Sequence, residues 1–390
     1  METNRTRSEI AILNRLKNTQ VLLIDDDSLI VAKRDRVFRI FDNGEQQHLF
    51  DFESSWSSVF LDRSRLLYRL RRCGVFSSGK HDGIFFFSRR GKIWSFAKGQ
   101  TQPRMEFAVP DGNGPLTFTS INDLPSFESS IYFGEYFGNS SRRPIRLFRR
   151  DDKGQWEACY SFNEGQIEHV HGMVPDPINN CVWILTGDFG SGAAIWRARN
   201  NFEEVELVVG GAQKFRSCVG FPTPQGLLYA TDSQLETNQL RLLSNKDGSW
   251  ESRVLCQING SCIDGCELKD YFVFSTATEP GKVIKPTSII QKLWAKFLFF
   301  FDNRPGPGIL SNQTDIVVCP KNNIEQSSVV YSVKKDIFPF GLFQFGRAKF
   351  PFGENRSNRL HAYFVATKEN DLSSLSWQLP EISQQQHVTS

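Results

Sequence analysis

A short unit of strand, turn and strand recurs along the chain, and this recurrence limits the fold more than any other feature of the sequence. Apolar runs of strand length are broken by polar or glycine-containing turns. The stretches VLLIDDDSLIVAKRDRVFRIFD (21–42) and GIFFFSRRGKIWSF (83–96) are typical. Related stretches follow at 129–156, 180–199, 225–250, 270–281 and 361–370. The pattern predicts consecutive antiparallel strands with little helix.

The spacing of these units predicts a circular arrangement. Successive units lie roughly 40 to 55 residues apart, which is the period of four-stranded propeller blades rather than of helical repeats. One blade cannot bury both faces of its small sheet, so the blades must stack side by side around an axis. We therefore predict an all-β chain with a single β-propeller over residues 20–380 and a polar tail at 381–390. Seven blades fit best, with six as the alternative.

Two turns support this interpretation. RRDDKGQW (149–156) and SNKDGSW (244–250) each combine an Asp, a Gly and a Trp. In a tight hairpin these residues supply a side-chain acceptor, a positive φ and a packing anchor respectively. Such turns are typical of the outer edge of a blade, so they indicate the fold rather than the chemistry.

Two segments depart from the strand pattern. In the N-terminal segment 1–19, the spacing of apolar residues predicts a short helix over Ser8 to Lys17. An insertion at 285–308, in the sixth blade, contains SIIQKLWAKFLFFFDNRPGPG, whose apolar residues follow helical spacing with lysines between them. The stretch 288–301 is too short to span a bilayer. It is expected either to lie at a membrane surface as a peripheral contact or to cap the propeller with its apolar side in the core.

Composition limits the partners and the compartment. The chain has 46 basic and 43 acidic residues, a net charge of +3, so nothing in its charge demands nucleic acid as a partner. The N-terminus has no apolar region of a secretory signal, and we expect a cytoplasmic protein. The 8 cysteines lack regular spacing and are expected to be reduced. CIDGC (262–266) has no second ligand pair, so we predict no zinc site there.

The strongest candidate for a site is the HVH motif that opens the fourth blade. In a propeller, loops at the start of the inner strands form a funnel where ligands bind. Strand alternation places His169 and His171 on one face, where they can hold a divalent metal ion or act as a base. Glu135, Asp188 and Asp232 are the candidate carboxylates. The alternative is that the histidines hydrogen-bond between blades and only stabilise the fold.

Further polar residues extend this candidate site. Arg216 opens the next blade at the position that corresponds to HVH, and an inward-facing arginine needs an anion: Asp188, Glu135 or a bound acid. GEYFGNSSRRP (134–144) is suited to sugar hydroxyls and carboxylates. Ligand contact by Asn residues competes with the commoner turn capping. The remaining candidates are Tyr136, Asn139, Arg142, Arg143 and Asn238.

Together these fragments resemble a known group of proteins. GEY, N with RRP, DKGQW, HVHG, PDPINNCVWILTGD, QKFR and YATDS, spread over 129–233, resemble sialidase-like β-propellers of the BNR or Asp-box type that are associated with exopolysaccharide or capsule production in microbes. The resemblance implies a propeller and a carbohydrate ligand, but no established mechanism. Sialidases themselves have an arginine triad and an FRIP element; this chain has FRIF at 38–41 and no such triad.

Two classes of function follow. The first is an enzyme acting on an acidic polysaccharide. As a lyase it would use His169 and His171 as metal ligands or base, Arg216 to clamp the substrate carboxylate and Tyr136 as acid. As a glycoside hydrolase it would use Glu135 with Asp188 or Asp232. The second class is a non-catalytic propeller that binds a glycan or serves as a scaffold in a membrane-associated polysaccharide system. The absence of recurring Gly-His and Trp-Asp pairs argues against a WD-repeat platform.

Overall fold

The computed structural model describes residues 10–53, 64–112, 114–281 and 303–382. Within these ranges the chain forms seven antiparallel sheets of four strands each. The prediction of a seven-bladed all-β propeller is therefore confirmed. The strongly β-favouring Val, Ile and Phe runs supply the strands, and the turns between them are those predicted from the sequence.

Blades 1 to 4 follow the chain in order, each as a four-stranded meander. Blade 1 contains β2 (Gln20–Asp25), β3 (Ser28–Lys33), β4 (Arg36–Phe41) and β5 (Gln46–Asp51). Blade 2 contains β6 (Ser77–His81), β7 (Ile84–Arg89), β8 (Lys92–Ala97) and β9 (Arg104–Ala108). Blade 3 contains β10 (Thr119–Ile121), β11 (Ser130–Gly134), β12 (Ile145–Arg150) and β13 (Trp156–Phe162). Blade 4 contains β14 (His169–Asp176), β15 (Cys181–Gly187), β16 (Ala194–Arg199) and β17 (Glu204–Gly210).

Blades 5 to 7 complete the ring. Blade 5 contains β18 (Ser217–Thr223), β19 (Gly226–Thr231), β20 (Gln239–Lys246) and β21 (Ser249–Gln257). Blade 6 contains β22 (Ser261–Glu267), β23 (Tyr271–Ala277), β24 (Gln313–Pro320) and β25 (Ser328–Lys334). Blade 7 contains β26 (Arg347–Lys349), β27 (Arg359–Val365), β28 (Ser373–Gln378) and β1 (Ile12–Leu16). The short α-helices α1 (Arg65–Leu70) and α2 (Phe340–Phe343) lie in the linkers between blades.

The closing of the ring corrects the prediction of an N-terminal helix. Ile12–Leu16 is a strand that pairs antiparallel with β28, from Ile12 with Trp377 to Leu16 with Ser374. Without it, β28 would be left as an open edge strand, and backbone pairing there outweighs a weak local helix pattern. Residues 8 and 9 of the predicted helix lie outside the described residues.

The hydrophobic core lies between blades rather than within one. Tyr132 and Phe162 of blade 3 pack with Val182 and Trp196 of blade 4 in one buried cluster. Comparable clusters join blades 1 and 2, 2 and 3, 4 and 5, 5 and 6, and 6 and 7. Each blade therefore buries its faces only against the next blade, as expected for a closed ring. This packing holds the first strand of each blade in a fixed position around the axis.

The direction of the inner strands defines the two ends of the central channel. The first strand of each blade contacts the first strand of the next, as in β14 with β18 and β18 with β22, so these strands form the innermost layer. They run in the same direction because every blade repeats the same meander. Residues that begin these strands therefore meet at one end of the channel, and the hairpins that follow them meet at the other.

The first predicted outer turn has the expected chemistry, whereas in the second the side-chain acceptor is Asn245 instead of the predicted Asp247. Gln155 N–H donates to Asp151 Oδ1 (2.6 Å), and Gly154 has a φ of 78°. In the second turn Asn245 accepts from Gly248 N–H (2.9 Å), and Gly248 has a φ of 85°. Both turns join the third and fourth strands of a blade, at its outer edge.

The insertion also has its predicted place in the chain. It lies between β23 and β24 of the sixth blade. Its amphipathic stretch 288–301 falls outside the described residues, so the membrane contact stays a prediction. Among the described residues, no helix has the length and apolar character needed to cross a membrane.

Candidate functional site

The two histidines of the HVH motif come together at the start of β14. Their ring centroids are 4.9 Å apart, although a β-bulge between Val170 and Gly172 interrupts the strand alternation from which their proximity was predicted. Both side chains are buried. Each Nδ1 contacts a backbone carbonyl of a neighbouring blade: His169 that of Phe137 (2.9 Å) and His171 that of Ser217 (3.0 Å). The histidines therefore contact neighbouring blades through these nitrogens, as expected if they stabilise the fold.

These Nδ1 contacts determine what the other ring nitrogens can do. A backbone carbonyl only accepts, so both Nδ1 atoms must carry the hydrogen. In the neutral rings, both Nε2 atoms then have lone pairs. These two Nε2 atoms are 3.0 Å apart, and Asp188 Oδ1 lies 3.4 Å from that of His169 and 3.2 Å from that of His171. Three acceptors thus converge on one point, which needs a proton or a metal cation between them.

Asp188 reaches this point from the turn after β15. Its backbone follows Gly187, where an added Cβ would lie 2.2 Å from Cε1 of His171, so a larger residue would displace the ring. Burial alone would raise the pKa of Asp188, but a proton shared with His169 and His171 at this point, and then the charge of Arg216, hold that pKa well below its usual value. Asp188 is therefore a carboxylate at neutral pH.

Arg216 joins this centre to the next carboxylate. Its Nη2 lies 3.2 Å from Asp188 Oδ1 and 3.2 Å from Asp232 Oδ2, and its Nη1 donates to Gln234 Oε1 (2.6 Å). Burial would lower the pKa of Arg216, but Asp232 and Asp188 more than offset it and raise that pKa. The expectation that Asp188 would be an anionic partner of this arginine is confirmed. Both Nη atoms already have protein partners, so little of this guanidinium is free for a ligand.

The converging atoms have the geometry of a metal-binding set. Bonds of about 2.1 Å at angles between 90° and 109° place neighbouring ligand atoms about 3.0 to 3.4 Å apart. The three separations among His169, His171 and Asp188 are 3.0, 3.2 and 3.4 Å. Two imidazoles and one carboxylate form a set that suits divalent transition metals and leaves coordination positions open. The residues therefore fit a metal ion.

A second group of potential ligands fits less well. His171, Cys218 and Asp232 also lie close together. However, the Cys218 thiol donates to Asp232 Oδ2 (3.3 Å), and burial, followed by the charge of Asp232, raises the pKa of that thiol well above its usual value. Because only the thiolate is a good ligand, this group is the poorer metal site.

Tyr136 covers the histidines. Its ring centroid lies 4.7 Å from that of His169 and 6.1 Å from that of His171. Burial, followed by the charge of Asp188, raises the pKa of Tyr136 well above its usual value. The phenol therefore keeps its proton at neutral pH and can donate a hydrogen bond, and its role as an acid stays a prediction.

Glu279 is a member of the cluster that the sequence analysis missed. It follows β23, and its Oε2 is buried without a hydrogen-bond partner among the described residues. Burial, and then the charge of Asp232, raise the pKa of Glu279 to about 8. The site thus pairs a protonated carboxyl at Glu279 with an ionised one at Asp188, an arrangement that separates an acid from a carboxylate. A sequence signal existed: an acid follows the second strand in LTGD, YATD and STATE, that is, in three consecutive blades.

The other predicted residues lie around this cluster in structural roles. Glu135 is buried, and its carboxylate accepts from the backbone N–H and the guanidinium of Arg146 (2.8 and 2.6 Å). Asn139 accepts from Arg143 N–H (3.0 Å) and caps its own turn. Asn238 accepts from Ser233 N–H (2.8 Å) and also caps a turn. The alternative of turn capping therefore describes the contacts of both asparagines.

The two remaining arginines differ from each other. Arg142 donates to Phe189 O (2.6 Å) and Ser191 Oγ (2.8 Å), so it holds the turn that carries Asp188. Arg143 is exposed, pairs with Asp111 (3.2 Å) and lies over the Phe137 ring. Neither contacts the histidine cluster directly among the described residues.

A cavity of about 880 Å³ lies at the opposite end of the channel. Its walls come from the hairpins after β2 and β6 and from the final residues of β22. Exposed charged residues such as Asp26, Asp82, Glu267 and Arg356 line it. The open space and the buried ionisable cluster are therefore at different ends of the propeller.

Fold and site together define a β-propeller with a buried polar cluster at one mouth of its channel. No protein-family model and no curated protein matches the chain. Among solved structures, 749 chains match, so the fold alone does not select a function.

Three solved structures illustrate the range of similar propellers. A virginiamycin B lyase from Staphylococcus aureus is 12% identical, with a TM-score of 0.54 over 94% of this chain and 99% of that one. An oligogalacturonate lyase in complex with manganese is 13% identical, with a TM-score of 0.51 over 94% and 90%. The β-propeller domain of Cps50 (Swd1) from Myceliophteria thermophila is 9% identical, with a TM-score of 0.50 over 97% and 99%. At such identities these similarities establish the fold.

Proposed function

We propose that the protein is a metal-dependent lyase that acts on an acidic polysaccharide or oligosaccharide. The observation that carries the proposal is the convergence of His169 Nε2, His171 Nε2 and Asp188 Oδ1, three acceptors within 3.4 Å of one another. A buried set of this kind needs a cation, and a divalent metal ion satisfies all three atoms at once.

The three residues would hold the ion, and their surroundings keep them ready for it. The Nδ1 bonds to Phe137 O and Ser217 O orient both rings, a common support for metal-binding histidines. The contacts with His169 and His171, and then the charge of Arg216, lower the pKa of Asp188 and keep that carboxyl ionised. When bound, such an ion would neutralise a substrate carboxylate and so acidify the adjacent C–H bond.

The remaining groups match the proton transfers of an elimination. Asp232, whose Oδ1 is buried without a hydrogen-bond partner among the described residues, is available as the base that removes the proton on the carbon next to the substrate carboxylate. The bond to the leaving oxygen then breaks, and a carbon–carbon double bond forms. The leaving oxygen must receive a proton, and Glu279 and Tyr136 are the groups that carry one at neutral pH. A hydrolase based on Glu135 has less support because Arg146 occupies that carboxylate.

Two comparisons support this choice of substrate. Propellers of similar fold include an oligogalacturonate lyase that was solved with manganese, whose name describes elimination on an acidic sugar chain. The resemblance of 129–233 to sialidase-like propellers of exopolysaccharide systems also favours a carbohydrate ligand. The first comparison favours an acidic sugar chain and the resemblance favours a carbohydrate, so an acidic glycan is the first substrate to test.

The direct test is an elimination assay with manganese and a galacturonate oligosaccharide. We expect the ultraviolet absorbance of an unsaturated product to rise for the wild type and to fall at least about 100-fold in rate for H169A/H171A. H48N is the matched control, because His48 lies on the outer strand β5, where it pairs with Asp51. Equal rates for H169A/H171A and H48N would contradict the proposal.

A non-catalytic glycan-binding propeller is the second candidate. It is favoured by the same Nδ1 bonds, which would be needed even if the histidines only joined blades. This candidate predicts glycan binding without a metal and without an unsaturated product.

A further inference from the structure

Two cations line the channel on the seventh blade, beyond the cluster described above. Arg347 and Lys349 lie two positions apart on β26, so their side chains leave the strand on the same face. Arg347 begins its inner strand as His169 begins β14, which places both at the same end of the channel. The two cations thus border the same mouth as the histidines.

The guanidinium of Arg347 is not satisfied by its neighbour. Its Nη1 lies 3.7 Å from Asp264 Oδ2, beyond hydrogen-bond distance, and that oxygen is buried without a hydrogen-bond partner. No other described residue pairs with this guanidinium. Arg347 can therefore offer a fork of N–H donors to a ligand, the geometry that matches a carboxylate.

Lys349 is also short of partners. Its ammonium donates to Phe76 O (2.5 Å) and faces the Phe76 ring, 5.7 Å from the centroid. Burial, followed by the charge of Arg347, lowers the pKa of Lys349 to about 7, and Asp264 only partly opposes this. A half-buried cation with so little compensation is costly, and an anion bound beside it would reduce that cost.

Two aromatic rings connect these cations to the histidine cluster. Phe76 stacks on Tyr136, with centroids 6.3 Å apart and an interplanar angle of 28°. Tyr136 in turn contacts the ring of His169 at 4.7 Å. The cations and the candidate metal ligands therefore border one continuous surface.

We propose that Arg347 and Lys349 form the subsite that binds a carboxylate group of the substrate. The sequence analysis assigned this role to Arg216, whose Nη atoms are instead held by Asp188, Asp232 and Gln234. The inference rests on the proposed function, because it describes how the acidic substrate of that site is held. It narrows the substrate to a molecule that carries a second free carboxylate besides the one that the metal ion would neutralise.

The test is calorimetric binding of a galacturonate trisaccharide and of its fully methyl-esterified form, both in EDTA. We expect the wild type to bind the acid at least about tenfold more tightly than the ester. R347Q/K349M should lose about tenfold or more in affinity for the acid and little for the ester. K246M is the matched control, because Lys246 is 69% exposed and pairs with Glu251 on the outer edge of blade 5. Met is close to Lys in length and apolar, so K349M removes a half-buried charge without leaving a cavity; the Tm of each variant checks folding.

The outcomes separate this inference from the proposed function. No binding of the acid by the wild type, or equal affinities for R347Q/K349M and K246M, would overturn the subsite. Because EDTA removes any metal, H169A/H171A should bind the acid as the wild type does. If the elimination assay fails while acid binding still depends on Arg347 and Lys349, the result supports the carboxylate subsite and indicates a protein that binds the glycan without catalysis. If elimination occurs but acid binding does not depend on Arg347 and Lys349, the result supports the proposed lyase activity and shows that the proposed subsite is wrong.

Discussion

The two ends of the channel differ in how their charged groups are arranged. At the histidine end, where the inner strands begin, His169, His171 and Arg216 are buried and contact one another or Asp188. At the cavity end, where those strands finish, residues such as Asp82 and Arg356 are exposed around about 880 Å³ of open space. One end holds interacting charges out of water, and the other holds hydrated ones.

This difference shows why open volume is a poor guide to chemistry in this protein. Charged groups in contact with water interact only weakly with one another, whereas the free energy of a buried charge depends strongly on its neighbours. The shifts at Asp188 and Glu279 are in opposite directions within one cluster, which is what acid–base chemistry requires. The open space is at the cavity end, whereas the groups with shifted pKa values are at the histidine end.

The largest difference between the ends should be in stability. Arg216→Met leaves the half-buried Asp188 and the buried Asp232 without their shared cation, and we expect a loss of about 3 to 5 kcal/mol in the free energy of unfolding. Asp82→Asn at the cavity end should leave the urea midpoint unchanged, because Asp82 is exposed. Urea denaturation of both variants measures this. Equal midpoints would mean that the buried charges do not depend on each other.

A comparable effect should appear as a pH dependence. The raised pKa of Glu279, about 8 against an ordinary value of 4.5, means that the folded protein holds this proton more tightly than the unfolded chain. The associated stability is complete below about pH 4.5 and is lost as the pH rises to about 8. Glu279→Gln should remove this dependence, about 4 to 5 kcal/mol across that window.

The measurement is the difference in free energy of unfolding between the wild type and E279Q at several pH values. Taking the difference cancels the other titrating groups. A difference that stays constant from pH 4.5 to 8 would show that Glu279 ionises normally, and it would remove Glu279 as the proton donor.

The next effect is expected in the affinity for the metal ion alone. Gly187→Ala places a Cβ 2.2 Å from Cε1 of His171 and must move that ring. We expect metal affinity to fall about 10- to 100-fold, as it does when support of a ligand is lost. Gly138→Ala is the control, because nothing lies within 4 Å of an added Cβ there. Equilibrium dialysis with manganese compares the two; equal affinities would mean that the position of His171 does not matter for binding.

The sequence predicted the parts of the molecule that repeat. Seven blades follow from a strand pattern that each unit carries independently, and the proximity of His169 and Arg216 follows from their equivalent places in consecutive blades. The contacts of Asp188 with the histidines and with Arg216 could be predicted from the sequence for the same reason.

Features that depend on distant parts of the chain were not predictable in this way. Ile12–Leu16 becomes a strand only because β28, more than 350 residues later, needs an edge partner. Glu279 becomes an acid only because burial beside Asp232 keeps it protonated. Arg347 and Lys349 carry no motif, and their proximity to Tyr136 appears only once the ring has closed.

The central claim is that His169, His171 and Asp188 hold a divalent metal ion, and the most direct measurement is metal content by elemental mass spectrometry. The wild type, H48N and H169A/H171A would be dialysed against manganese and then analysed, with folding checked by circular dichroism. We expect about one equivalent of metal in the wild type and H48N, and none in the folded H169A/H171A variant. No bound metal in the wild type, or equal metal in all three proteins, would contradict the account and leave a proton between the two histidines.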